Sequence, residues 1–323
     1  MTLKAAVFCH NGLGDGILSL VVSHNLHQNG WDVSTYHNGM QNLQSWFPHL
    51  PIIKYPQEKE VASLLETMDQ LILFHNDSNT FVLKLMEEGK KKYPDKVKVI
   101  YPYPTQGIRL RPYYQDSYLD PTKPIVKGLK IFCSEMLNLT KTSLNNGFIA
   151  PLHLIHRKYE NRVALHINSS RPGKNWDIEK YVKLALHLKN SGFKPVFLAG
   201  SKEDRKPYLW LEKQGWELPL FSSLSALTEY LYESGYLIGN DSGLGHLASC
   251  MKVPTVTISR RKAVARFWQP SLTLSKIVVP YSFIPNIGGF RLRDRKWKKF
   301  ISAKRVFKKF MQLLKEEKEL QDL

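Results

Sequence analysis

Two patterns of apolar residues alternate along this chain. Short apolar runs have the length of buried strands, and longer stretches place an apolar residue every three or four positions, as amphipathic helices do. In the first half the runs predict strands over 3–10, 31–36, 71–75 and 97–101, and the periodic stretches predict helices over 16–29, 61–68, 80–88 and 127–139. Residues 101–124, rich in Pro and Tyr, predict a long irregular segment whose length favours a functional loop. Periodicity lapses over 145–162, with Pro151 inside, which predicts a linker there. The second half predicts strands over 163–167, 195–199, 236–239 and 254–258, and helices over 178–189, 206–214, 225–233 and 246–251. Strands separated by helices of this length imply parallel sheets with βαβ crossovers. The expected fold class is α/β, with two Rossmann-like domains over 1–155 and 156–323. The second ends in a basic helix able to pack back on the first. Neither an internal repeat nor a low-complexity segment is present.

Composition narrows this picture. A length of 323 residues fits two α/β cores better than one. No apolar run reaches the ~18 residues of a spanning helix, and Met1 leads straight into a strand-like run without signal-peptide architecture. Cys9, Cys133 and Cys250 are isolated and lack metal or disulfide spacing. A reducing cytosol is the expected compartment.

Charge adds a second constraint. The formal net charge is +18, and residues 291–309 hold ten Lys and Arg against one acid, Asp294. Half the net charge thus lies in nineteen residues, a density that calls for an anionic neighbour such as nucleic acid, an acidic polymer or an anionic membrane. Phe300, Phe307, Phe310 and Leu314 recur at helical spacing through it, so one face is expected to pack while the other stays cationic.

Four segments carry candidate chemistry. Residues 240–248, Asn-Asp-Ser-Gly-Leu-Gly-His-Leu-Ala, sit between a strand and a helix. Such a turn aims backbone N–H groups and a helix dipole at an anion, although Asp241 or Ser242 acting as N-cap explains it equally well. Residues 11–16, Asn-Gly-Leu-Gly-Asp-Gly, follow the first strand. Asp15 there serves either as helix cap or as a reactive carboxylate at a strand's carboxyl end. A dinucleotide fingerprint fits poorly, because Ile17 takes the third glycine position and the second strand ends in Tyr36-His37-Asn38 without an acid. The loop 166–176 offers Ser169, Ser170, Arg171 and Lys174 to phosphate oxygens. Residues 199–204 offer Glu203 to ribose hydroxyls, or only a surface turn.

Together these segments resemble glycosyltransferase family 9, the lipopolysaccharide heptosyltransferases and their relatives. The resemblance rests on Gly14-Asp15, on Ser169-Ser170-Arg171 followed by Lys174-Asn175-Trp176, and on Asp241-Ser242-Gly243-Leu244-Gly245-His246-Leu247, in that order to about residue 260. Gly12, Gly16 and Gly245 depart from the family pattern, and the tail is more basic than it requires. The resemblance implies a GT-B fold: two facing Rossmann-like domains, the first taking the acceptor and the second a nucleotide-diphospho-sugar. It implies inverting transfer with Asp15 as base, and a diphosphate held by Ser169, Ser170, Lys174 and residues 242–246. Asp241 is then expected against the sugar and Glu203 against the ribose. Gly14, Arg109 and Arg111 are expected to meet the acceptor.

The chain contains no Asp-x-Asp pair, so neither metal nor cofactor is expected. The donor expected is ADP-heptose, with a UDP- or ADP-hexose as alternative, and the acceptor a lipid-linked oligosaccharide of lipopolysaccharide or lipooligosaccharide core. The basic helix is expected on an anionic membrane surface, which places the protein peripherally on the inner membrane from the cytoplasm. A GT-B nucleotide-sugar epimerase and a nucleic-acid-binding protein are the rival readings. Against the second, no nucleic-acid module is recognisable, so no nucleic-acid partner is expected.

Overall fold

A computed structural model describes residues 2–75, 79–102, 119–169, 171–200, 204–286 and 291–322. The chain divides into two compact units, 1–151 and 152–323, a few residues earlier than the 155/156 boundary read from periodicity.

In the first unit the order is β1 (Lys4–Phe8), α1 (Leu13–Gln28), β2 (Asp32–Tyr36), β3 (Ile52–Ile53), α2 (Val61–Thr67), β4 (Gln70–Phe74), α3 (Thr80–Lys92), β5 (Val97–Ile100) and α4 (Ile125–Glu135). The five strands run parallel in the order β3-β2-β1-β4-β5. Ala6, Phe8, Leu71, Leu73, Val97 and Val99 face one side of this sheet and join Leu64, Val82 and Leu85 of the covering helices in one core. The strand order reverses beside β1, so the C-terminal ends of β1 and β4 border the crevice where such sheets bind ligands.

The second unit repeats the architecture with β6 (Tyr159–His166), α5 (Ile178–Asn190), β7 (Lys194–Leu198), α6 (Trp210–Lys213), α7 (Leu224–Tyr232), β8 (Ser234–Asn240), α8 (Gly243–Cys250), β9 (Thr255–Ile258), α9 (Lys262–Phe267), β10 (Ser275–Val278), α10 (Leu292–Arg295) and α11 (Ala303–Gln321). Its parallel sheet is ordered β10-β9-β8-β6-β7, which puts the reversal at β6 and β8. Two five-stranded parallel sheets flanked by helices make a GT-B-type fold.

Three expectations need correction. Residues 145–149 are bound into the first unit: Asn146 Nδ2 donates to the Ile17 carbonyl (3.3 Å), Phe148 stacks on Trp46, and the Ile149 N–H donates to the Trp46 carbonyl (2.9 Å). The helix expected over 206–214 is a 3-10 turn, Lys206–Tyr208, followed by the four-residue α6. The buried stripe of α11 is Ala303, Val306, Phe310 and Leu313, packed into the second unit's own core. Phe307 and Leu314 only flank that stripe, and Phe300 ends a separate 3-10 turn, Trp297–Phe300. Among the described residues no helix is long and apolar enough to cross a membrane.

Candidate active site

Helix α1 begins three residues before the expected position. Gly12 is its N-cap, and the Gly16 N–H donates to the Gly12 carbonyl (2.9 Å), the first helical bond. Asp15 therefore is no N-cap: it lies half-buried in the first turn, with Gly14 buried before it. The carboxylate folds back over Gly12, where a Cβ would stand 2.3 Å from Asp15 Oδ2.

His37, at the end of β2, fixes this turn from below. The Gly39 N–H donates to its Nδ1 (3.0 Å), so Nε2 carries the proton and donates to the Gly12 carbonyl (3.2 Å). Burial lowers the His37 pKa and keeps the ring neutral, as this bonding requires. Gly16 is a glycine because the ring and Met40 press on it: a Cβ would meet Met40 Sδ at 2.2 Å and His37 Cδ2 at 2.8 Å. At the ends of β1 and β4, His10 Nε2 donates to the His75 carbonyl (2.7 Å), tying together the strands that border the crevice. Cys9 beside them is no nucleophile, since burial pushes its thiol up to about 12.

In the second unit the site gathers at the C-terminal ends of β6 and β8. Asn240 ends β8 fully buried and bonds the loop that leaves β6. Its Nδ2 donates to the Ile167 carbonyl (2.9 Å), and its Oδ1 accepts from the Trp176 N–H (2.9 Å). Trp176 is buried and donates its Nε1–H to the Ile301 carbonyl (3.2 Å), so the loop is pinned at both ends. Within it, the Ser169 hydroxyl donates to Asn175 Oδ1 (2.6 Å) and thereby shapes the loop itself. Lys174 reaches out of the loop to Asp241, with Nζ 3.3 Å from Oδ2; the lysine is exposed and the carboxylate mostly buried.

Helix α8 also starts earlier than expected, at Gly243, with Ser242 as N-cap in extended conformation. The serine makes no side-chain bond to the helix; its hydroxyl is hydrogen-bonded to His166 Nδ1 (3.0 Å) at the end of β6. The first-turn N–H groups of Gly243 and Leu244 thus head the helix without a side-chain cap, while that of Gly245 is held by the Ser242 carbonyl (3.2 Å). Pro270 packs against Gly245, where a Cβ would come within 3.2 Å. His246 is buried; desolvation lowers its pKa to about 4, with Asp241 opposing and Lys174 reinforcing. Its Nδ1 has no hydrogen-bond partner among the described residues.

The structure thus brings Lys174, Asp241, Ser242, Gly243, Leu244, Gly245 and His246 together around one helix N-terminus, with Ser169 in the adjoining loop. Gly14 and Asp15 head the corresponding helix of the other unit. Ser170, Glu203, Arg109 and Arg111 lie outside the described residues. Sequence reasoning missed His37, His166 and Asn240 as organisers of these turns. Their common signal is a polar residue ending an apolar strand. A cavity of about 830 Å³ in the second unit, lined by His156, Arg157, Tyr236 and Glu317 among others, is remote from this chemistry. It opens at the start of β8, away from the strand ends where ligands bind, and Glu317 ties Arg157 to Tyr236 there.

Residues 137–277 match the model of glycosyltransferase family 9 (heptosyltransferase). That segment is similar to family 9. It spans β6 to β10 almost entire, and with them the loop of Lys174 and the turn of Asp241. The similarity supports a glycosyltransferase. Solved structures share the fold over nearly the whole length. A family 9 glycosyl transferase from Veillonella parvula is 17% identical with a TM-score of 0.66, the match covering 97% of this chain and 98% of that one. ADP-heptose LPS heptosyltransferase II of E. coli is 18% identical with a TM-score of 0.62, over 98% and 100%. The E. coli heptosyltransferase WaaC is 12% identical with a TM-score of 0.65, over 96% and 100%. At these identities the likeness shows the fold. No curated protein sequence matches the chain.

Proposed function

We propose that this glycosyltransferase transfers heptose from ADP-heptose to the core of lipopolysaccharide or lipooligosaccharide, with inversion and without a metal. The observation that carries the reading is the Lys174–Asp241 pair at the head of α8, where Ser242 turns to His166 and leaves the first-turn N–H groups to an anion. The E. coli proteins of like fold are an ADP-heptose transferase and one bearing ADP, which supports the choice of donor.

In this reading Asp15 takes the proton of the acceptor hydroxyl as its oxygen attacks the anomeric carbon. The bond from that carbon to the diphosphate breaks. The charge left on the diphosphate is met by the N–H groups of Gly243 and Leu244, by the Lys174 ammonium and by the hydroxyls of Ser169, Ser170 and Ser242. Asp241 holds sugar hydroxyls while paired with Lys174, and Glu203 holds the ribose. Gly14, Arg109 and Arg111 receive the acceptor. The protein works in the cytoplasm, peripherally on the inner membrane, where anionic lipid attracts the basic segment by ~1 kcal/mol for each residue near the surface.

A thermal-shift panel of ADP-heptose with UDP-, GDP- and CMP-sugars tests the donor. A ligand at a hundred times its Kd stabilises the folded state by about 3 kcal/mol. ADP-heptose should raise the melting temperature most. A shift with UDP-sugars only would replace the donor, and turnover of a nucleotide-sugar without acceptor would favour an epimerase.

A further inference from the structure

The second unit contains another concave, strongly basic surface that the transfer chemistry does not use. It is a cavity of about 650 Å³ bordered by seven basic side chains and two carboxylates. Arg260 and Arg261 follow β9, Arg291 and Arg295 bracket α10, and Lys296, Lys298 and Lys299 come from the turn that follows. Gly173, on its wall, immediately precedes Lys174, yet no side chain assigned to the donor borders the cavity.

The two carboxylates are already spoken for. Asp294 is mostly buried and receives Arg261 at both Nε (2.8 Å) and Nη2 (2.7 Å), while its own N–H donates to Asn286 Oδ1 (3.2 Å). Arg261 holds its carboxyl below the usual range despite the burial. Asp177 lies 3.4 Å from Lys180 and 4.0 Å from Lys298. Among the described residues Arg260, Arg291 and Arg295 form no ion pair. The wall is fixed from behind by Trp297, buried in the core, and by Lys180, whose ammonium donates to the Lys298 carbonyl.

A merely solvated basic face spreads its charges over a convex surface. Here seven cationic residues line one hollow and only Asp294 and Asp177 offset them, so an anion that enters relieves their mutual repulsion. Guanidinium forks match phosphate oxygens two at a time. We infer that this cavity is a second anion-binding site, shaped for more than one phosphate group at a time. A bisphosphorylated saccharide and neighbouring phospholipid headgroups share that chemistry. The inference stands whether or not the donor is ADP-heptose, because it concerns binding and not transfer.

Isothermal titration of the full chain with glucose 1,6-bisphosphate supplies the saccharide arm. Sedimentation with phosphatidylglycerol–phosphatidylcholine vesicles supplies the lipid arm. Both are run on the wild type, on the triple variant R260Q/R291Q/R295Q, and on K174Q, with Arg261 left in place because it holds Asp294. The wild type should bind at least one probe in a salt-sensitive manner, the triple variant should bind it roughly tenfold or more weakly, and K174Q should retain it. Loss in the titration assigns a saccharide phosphate, and loss with vesicles alone assigns a lipid headgroup. The proposal is overturned if neither probe binds, if the triple variant binds as the wild type does, or if K174Q abolishes binding. Should the triple variant lose its native circular dichroism, R260Q and R295Q singly are read by the same criteria.

Discussion

Acid should weaken the second unit through one buried imidazole. His246 has a folded pKa of about 4 against an ordinary 6.5, and the cause is desolvation. The unfolded chain therefore takes up a proton first as pH falls. The stability tied to neutral His246 is complete above 6.5, declines as pH drops through the window from 6.5 to 4, and levels off below it. At ~1.4 kcal/mol for each pH unit, the loss across that window is about 3 kcal/mol. The side chain is buried and its Nδ1 has no partner among the described residues; Asp241 offsets part of a gained charge and Lys174 adds repulsion, but desolvation outweighs both. Urea unfolding of the wild type and of His246→Asn at several pH values between 7 and 4 isolates the effect, since carboxylates common to both cancel. Tryptophan fluorescence reports chiefly on this unit, which holds five of the seven tryptophans. The stability difference between wild type and variant should move by about 3 kcal/mol against the wild type from pH 7 to pH 4. A difference that stays constant with pH would refute the reasoning.

Two further substitutions probe the supports of the site. Asn240→Ala leaves the Trp176 N–H and the Ile167 carbonyl buried without partners, so it should cost ~2–4 kcal/mol and lower the melting temperature of the second unit; a loss below ~1 kcal/mol would contradict the bonding described. Gly16→Ala drives a methyl against His37 and Met40 and should cost ~1–3 kcal/mol in a denaturant melt, whereas an unchanged midpoint would mean that the ring gives way freely.

The alternation of strands and helices was legible because fully buried parallel strands read as continuous apolar runs. β1, β2, β4, β5 and β7 to β9 lie where those runs fall, whereas β6 starts at Tyr159, four residues earlier, inside the stretch read as a linker, because its first residues are exposed. β3 has two residues and β10 is a half-buried edge strand with Ser275 and Lys276, so neither shows such a run. Helices α1 and α8 were placed too late for one reason: glycines at 12, 14, 243 and 245 read as loop. Packing decides otherwise at Gly245 beneath Pro270. The C-terminal stripe was misread by about one residue, because conspicuous phenylalanines drew the face through Phe300 and Phe307 while the core takes Val306, Phe310 and Leu313.

The motifs fall at the carboxyl ends of strands, but the wiring of those turns was not local. Ser242, weighed as a cap and assigned to the diphosphate, stands at the N-cap position but turns its hydroxyl to His166, 76 positions away. Asp15 was weighed as a cap and lies inside the helix, on a turn held by His37 across 25 positions. Lys174 and Asp241, assigned separately to phosphate and sugar, pair with each other. Bonds between strand ends distant in sequence leave no periodicity to read.

The central claim is that Asp15 is the base of an inverting sugar transfer. The most direct measurement is the steady-state transfer rate of Asp15→Asn, with ADP-heptose and a lipid-linked core acceptor, alongside its affinity for donor. The amide keeps the shape of the first turn of α1 and removes only the capacity to take a proton. The expected result is a kcat lower by about 10²–10⁴ with donor affinity unchanged. Turnover near the wild-type rate, with the donor bound equally well, would contradict it.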